Sequence, residues 1–290
     1  MSKVHCFVLA AILMLSTFVS CRKAIDYIRD HPGACDSICR ITELTFSAYD
    51  PSVPQDDPLR LGITYNTKGN PLSIRQLNPS RRYITTDVFF RYDKFDRLTD
   101  YLYSVGGGYA PDSDRVYSPF IWHKYAYPAH DIITDTVITY PTTLYTEPAP
   151  VAPEGSSIHL YKYDASGRMI AFADTYKDPH APKPEFSRIV YDRRGNKDLS
   201  AWQKPNIVYD STINVYRTNK VWQLIYKDYS QNNPVYKTSL PTPANTFDLP
   251  TRLPYTLNGD PIHYFDIYSY YVPYYYITYA CSAPKGPVNY

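Results

Sequence analysis

The chain reads as all-β: an antiparallel meander of successive YD-type β-hairpins forming one twisted, partly curled sheet. Two observations predict this. The first is a recurring phrase of Tyr-Asp, two variable residues, Gly, then Arg or Asn. It stands as Tyr163-Asp164-Ala165-Ser166-Gly167-Arg168 and as Tyr191-Asp192-Arg193-Arg194-Gly195-Asn196. Softer copies are Tyr65-Asn66-Thr67-Lys68-Gly69-Asn70 and Tyr92-Asp93-Lys94-Phe95-Asp96-Arg97. The second is a compositional bias: 32 Tyr, 26 Pro and only four Glu among 28 acidic residues. Tyr suits the half-buried face of a strand. Pro punctuates loops and sheet edges. Asp favours turns, where Glu would favour helices.

Residues 1–20 read as an export signal rather than structure. Lys3 gives a short positive start, and Phe7 to Leu15 is an apolar run of h-region length. Phe18-Val19-Ser20-Cys21 resembles the bacterial lipobox, with Phe18 where Leu is usual. The resemblance implies cleavage before Cys21 and lipidation of its thiol and new amino terminus. More than one acyl chain makes a stable anchor, since each buried CH₂ contributes about 0.8 kcal/mol. Arg22 and Lys23 follow, with neither an Asp directly after the cysteine nor an acidic stretch. The expected address is the outer membrane, either face. Residues 21–38 form the tether, 39–281 the β domain and 282–290 a tail.

Each bend has a physical reason. Asp or Asn is favoured at the first position of a type I turn and Gly at the fourth. Asp164 and Gly167, Asp192 and Gly195, and Asn66 and Gly69 take those places. A left-handed residue after such a turn completes a common hairpin connection, and Asp96 tolerates that conformation in place of Gly. Strands flank the bends. Val88 to Tyr92 enters one and Leu98 to Tyr103 leaves it; Ile158 to Tyr163 and Met169 to Ala173 flank another; Phe186 to Tyr191 enters the next. A degenerate copy spans Ile121 to Tyr125, with Tyr125 as anchor, His130-Asp131 at the bend and Ile132 to Tyr140 returning. Residues 109–118 and 141–157 read as inserted loops.

These bends resemble the YD repeats of the RHS family, most closely as carried by small lipoproteins of Bacteroidota. The resemblance covers roughly residues 60 to 200. It implies a hairpin fold unit and an envelope location. It does not imply an enclosed toxin, because the chain is too short for a closed shell.

Beyond residue 200 the clean bend is lost. Val221 to Tyr226 reads as a strand and Ser230 to Pro234 as a loop. Tyr264 to Tyr279 reads as one or two strands interrupted at Pro273. Its aromatic excess makes Tyr268, Tyr270, Tyr274 and Tyr276 candidates for stacking on sugar rings, against the simpler reading of a sheet with Tyr on its outer face.

Five cysteines are present. With Cys6 in the signal and Cys21 lipidated, Cys35, Cys39 and Cys281 remain in an oxidising compartment. Cys39 begins the first strand pattern and Cys281 ends the last, so Cys39–Cys281 could staple the domain. Cys35–Cys39 and three free thiols are the alternatives. Formal charge is +2 and the basic residues are scattered, which gives no footprint for nucleic acid. No hydrolase, metalloprotease, phosphate-loop or dinucleotide motif appears. Gly106-Gly107-Gly108 reads as a hairpin tip, and Asp112-Ser113-Asp114 lacks the rest of a calcium loop. The chain is expected to be a lipid-anchored envelope protein with a structural or interaction role, or a glycan-binding surface lipoprotein. Catalytic residues, metal and cofactor are expected to be none.

Overall fold

The bend phrase has one geometry, and it occurs five times among the described residues. In the first copy Asn66 N donates to Asn70 O at 2.9 Å and Gly69 N donates to Asn66 O at 3.0 Å. The Asn66 Oδ1 atom accepts from the backbone of Lys68 and Asn70. Asp93, Asp164 and Asp192 repeat this pattern with their own third, fourth and second neighbours. Each carboxylate therefore satisfies backbone donors that the tight turn would orphan. Residues Gly69, Asp96, Gly167 and Gly195 have φ of 88°, 61°, 77° and 81°, the left-handed region that Gly adopts without steric cost. The fifth copy, Asn245 to Leu249, was not legible in advance: Ala244 stands where Tyr would be and Asp248, at φ 56°, where Gly would be. Its hydrogen bonds are the same.

A computed structural model describes residues 39–46, 58–77, 88–104, 108–109, 116–117, 120–140, 153–175, 185–198, 207–236, 241–254 and 274–281. The strands are β1 (Cys39–Phe46), β2 (Leu59–Tyr65), β3 (Pro71–Gln76), β4 (Val88–Tyr92), β5 (Leu98–Ser104), β6 (Gly108–Tyr109), β7 (Val116–Tyr117) and β8 (Phe120–Ala129). Then follow β9 (Ile132–Tyr140), β10 (Gly155–Tyr163), β11 (Met169–Thr175), β12 (Ser187–Arg188) and β13 (Ile207–Ile213). A 3₁₀ turn (Val215–Thr218) and helix α1 (Lys220–Tyr226) precede β14 (Asn232–Tyr236), β15 (Arg252–Pro254) and β16 (Tyr274–Cys281). One antiparallel sheet of 12 strands runs β12-β11-β10-β9-β8-β5-β4-β3-β2-β1-β16-β15. The meander is all-β as expected. Its last long strand, β16, returns to lie beside the first.

The Tyr of the phrase is explained by the neighbouring hairpin. Tyr92 donates its hydroxyl to Pro71 O at 2.6 Å, and Pro71 is the residue that pairs with Tyr65 across the preceding bend. Tyr127 donates to Leu98 O, the partner of Tyr92, and Tyr191 to Met169 O, the partner of Tyr163. Tyr209 donates to Lys197 O and Tyr279 to Pro250 O, again the residues that close the previous bend. Each of these five tyrosines thus ties its strand to the close of the bend before it, whereas the Tyr163 hydroxyl accepts from Tyr229. Burial raises these hydroxyls above the ordinary tyrosine range, so they remain neutral donors. The anchor of the degenerate hairpin is Tyr127 rather than Tyr125. Its two-residue turn at His130-Asp131 is shorter than the phrase, which moves the tyrosine two positions along β8.

Arg at the end of the phrase ties the same two hairpins. Arg97 Nε donates to Asp93 at 2.8 Å, and its guanidinium lies 4.5 Å from the Tyr127 ring centre. Arg168 does the same between Asp164 and the Tyr191 ring. Burial alone would raise the Asp164 carboxyl, but the Ser166 hydroxyl and the Arg168 amide and guanidinium outweigh it and hold it below the usual carboxylate value. Removing one hydroxyl from the ladder, Tyr92→Phe, is expected to cost about 1 kcal/mol. Urea unfolding measures this; an unchanged midpoint would show that the bond does not join the hairpins.

Residues 221–226 correct the sequence reading: they form α1, not a strand. Asn219 caps the helix, its Oδ1 accepting from Val221 N at 2.8 Å, while its Nδ2 donates to Gly69 O. Val221, Trp222, Leu224 and Ile225 are buried, the i, i+1, i+3, i+4 spacing of one helical face. Their β-branched and aromatic side chains suit a strand equally well, so the cap and the packing decide. Lys227, at φ 54°, ends the helix. Ser230–Pro234 is likewise not all loop, since β14 begins at Asn232 and pairs with β13.

The helix lies on one face of the sheet. Ile63, Ile74, Val88 and Tyr103 stand opposite one another across β2–β5, and Phe90, Tyr101 and His123 across β4, β5 and β8. Directly opposed residues share a face. Trp222 is fully buried there, edge-on to Phe90 with ring centres 5.5 Å apart. Buried amides tie β13–β14 to their neighbours: Asn196 Oδ1, in the bend at residues 192–196, accepts from Asn232 N, and Asn233 Oδ1 accepts from Val215 N in the 3₁₀ turn.

Candidate functional site

Where β8–β10 run on from the aromatic core, the same face carries a buried carboxylate. Tyr125, Asp135 and His159 are directly opposed across β8, β9 and β10. Asp135 is fully buried. His123 Nδ1 lies 3.0 Å from each of its oxygens, and Tyr161 donates its hydroxyl at 3.2 Å. Lys227 Nζ approaches to 4.0 Å from the end of α1 and sits 5.0 Å from the Tyr161 ring centre. Tyr125 is buried beside them, and its hydroxyl has no hydrogen-bond partner among the described residues. Rings stack on His123 from both sides, with Tyr103 and Tyr125 centres at 5.9 and 6.2 Å. A buried carboxylate is tolerated only when paired and hydrogen-bonded. Here the pairing holds the end of α1 against the sheet.

Next to this cluster an open cleft with a cavity volume of about 100 Å³ lies between α1 and the hairpins. Tyr127, Ile133 and Tyr163 line it from β8, β9 and β10; Leu224 and Tyr229 line it from the helix side. Arg97, His130 and Lys220 add basic groups, and Ala129 and Gly167 stand at hairpin tips. Tyr229 donates to the Tyr163 hydroxyl at 3.3 Å, and the two rings meet edge to face.

The residues singled out from sequence do not gather in this cleft. Cys39 and Cys281 are the first residue of β1 and the last of β16; they are paired in register and joined by a disulfide. Tyr276 lies on the other side of β16 from buried Tyr275 and Ile277 and is 45% exposed. Tyr274 begins β16, while its side chain, Tyr268, Tyr270, Cys21 and Cys35 lie outside the described residues, as do Gly106-Gly107 and Asp112 to Asp114. Among the described residues, no group of three or more His, Cys, Asp or Glu is placed to hold a metal ion.

The site residues expected from the sequence include neither His123 nor Asp135. A signal was present: Asp135 is a charged residue in the middle of Ile-Ile-Thr-Asp-Thr-Val-Ile, at the phase where a strand turns inward. The cleft had no such signal, because its lining comes from five separate segments. No family model matches this chain, and no curated protein matches it.

Proposed function

We propose that this chain is a lipid-anchored protein of the cell envelope, held at the outer membrane through Cys21, with a structural or interaction role and no catalytic activity. The observation that carries the reading is the Cys39–Cys281 disulfide between the first and last strands of the sheet. Such bonds persist in oxidising compartments outside the cytosol, which agrees with the export signal and lipobox-like Phe18 to Cys21. The hairpins support the structural part. The Tyr, Asp and Arg of the phrase are engaged in joining one hairpin to the next, as in a scaffold of YD repeats.

Anchoring is tested by Cys21→Ser. The substituted chain is expected to leave the membrane fraction and to lose incorporation of labelled palmitate, while the parent keeps both. Membrane retention and labelling that are the same in both chains would refute the anchor.

A further inference from the structure

We propose that Ser157 is an activated nucleophile that takes up an acyl group from an ester or thioester with a good leaving group. Ser157, His159 and Asp174 form a hydrogen-bonded chain on the face of the sheet that carries Asp135. Ser157 Oγ lies 3.0 Å from His159 Nε2, and His159 Nδ1 lies 2.6 Å from Asp174 Oδ1. A hydroxyl, an imidazole base and a carboxylate cooperate in acyl transfer in this order. A carboxylate only accepts, so Nδ1 carries the proton. In the neutral ring Nε2 is then the acceptor, and it faces the hydroxyl.

The strands fix this chain. Ser157 and His159 are two residues apart on β10, so both point to one face. Asp174 stands directly opposite His159 on β11, near enough for the side chains to meet. The imidazole lies parallel to the Tyr161 ring, with 6° between the planes and centres 6.4 Å apart. The His159 side chain is 27% exposed and that of Asp174 55%, while Ser157 is half-buried, so the chain meets solvent and an acyl donor reaches it from there.

The step balances without a redox partner. Ser157 Oγ attacks the donor carbonyl carbon, and its proton passes to His159 Nε2. The bond from that carbon to the leaving oxygen or sulfur breaks, and His159 returns the proton to the leaving group. The products are a serine ester and a free alcohol or thiol. The strand β10 runs between β9 and β11, and its N–H groups serve the ladder rather than an oxyanion hole. A donor with a good leaving group reacts without that help, but the alkyl ester formed on Ser157 lacks such a group and persists. Ser157 is thus a point of covalent attachment, which goes beyond the scaffold role and requires no turnover.

The site does not depend on the lipid anchor, so it is measured on the full chain carrying Cys21→Ser. The chain is treated with 4-nitrophenyl acetate, and the acetylated positions are read by peptide mass mapping. Acetyl-Ser157 is expected, forming about 100-fold more slowly in His159→Gln, as for loss of a general base. In His159→Ala, added imidazole is expected to restore part of the rate, which it would not do for a merely structural histidine. No acetyl group on Ser157, equal rates with and without His159, or no rescue by imidazole would overturn the proposal. So would sustained release of nitrophenol that Ser157→Ala abolishes, because the ester would then turn over instead of persisting.

Discussion

Replacing Cys39 with Ser is expected to lower the unfolding free energy by about 5 kcal/mol. The bond closes a loop of 242 residues, and constraining so long a loop removes much of the entropy of the unfolded chain. There is a local component too. Cys39 and Cys281 form the last register pair of the β1–β16 ladder, whose other end is closed by Phe46 and Tyr275 with ring centres 5.4 Å apart. Without the bond the ladder frays from the cysteine end, exposing Ile41, which is fully buried. Urea unfolding of the substituted chain, and of the parent under reductant, should give the same lowered midpoint. A midpoint equal to that of the oxidised parent would mean that the ladder and the core hold the two ends unaided.

Trp222→Ala is expected to cost about 3–5 kcal/mol, through the cavity left under α1. Trp222 is fully buried, packs edge-on to Phe90, and belongs to the same core as Val215, Tyr216, Leu224 and Ile225. The helix has only seven residues, too few to be stable alone; its packing keeps it folded. Loss of this contact should therefore release the whole segment from the 3₁₀ turn to Lys227. Hydrogen exchange separates the two parts: protection should fall first at Val221 to Tyr226 and later in β4 and β5. Uniform loss over the sheet would show that the helix does not unfold as a separate unit.

The hairpin bends were legible because their information is local. Within five residues, an Asp or Asn supplies the acceptor and a Gly or Asp takes the left-handed conformation. The copy at Asn245 to Leu249 shows how far this goes, since it keeps the geometry with neither Tyr nor Gly. The Tyr that makes the phrase recognisable has no local explanation. Its hydroxyl bonds a carbonyl on the previous hairpin, between 21 and 29 residues away in the copies at Tyr92, Tyr127 and Tyr191. No spacing rule exposes that, because the intervening loops differ in length while the hairpins stack in the same way.

The helix and the candidate site were hidden for a related reason. Residues 220–226 carry strand-forming side chains, and the cap at Asn219 became decisive only with its second bond to Gly69 in a distant bend. Asp135 shows in the sequence only as a charge at an inward-facing strand position, and its partners His123, Tyr161 and Lys227 come from three other elements.

By itself, the sequence determined the hairpins, their turns and the all-β class, because turn chemistry and strand alternation act over a few residues. Only the tertiary structure decided which carbonyl each tyrosine meets, that residues 220–226 coil, and that Arg97, His130 and Lys220 share one cleft. Those outcomes rest on contacts between segments far apart in the chain, whose free energy appears only when the sheet has brought them together.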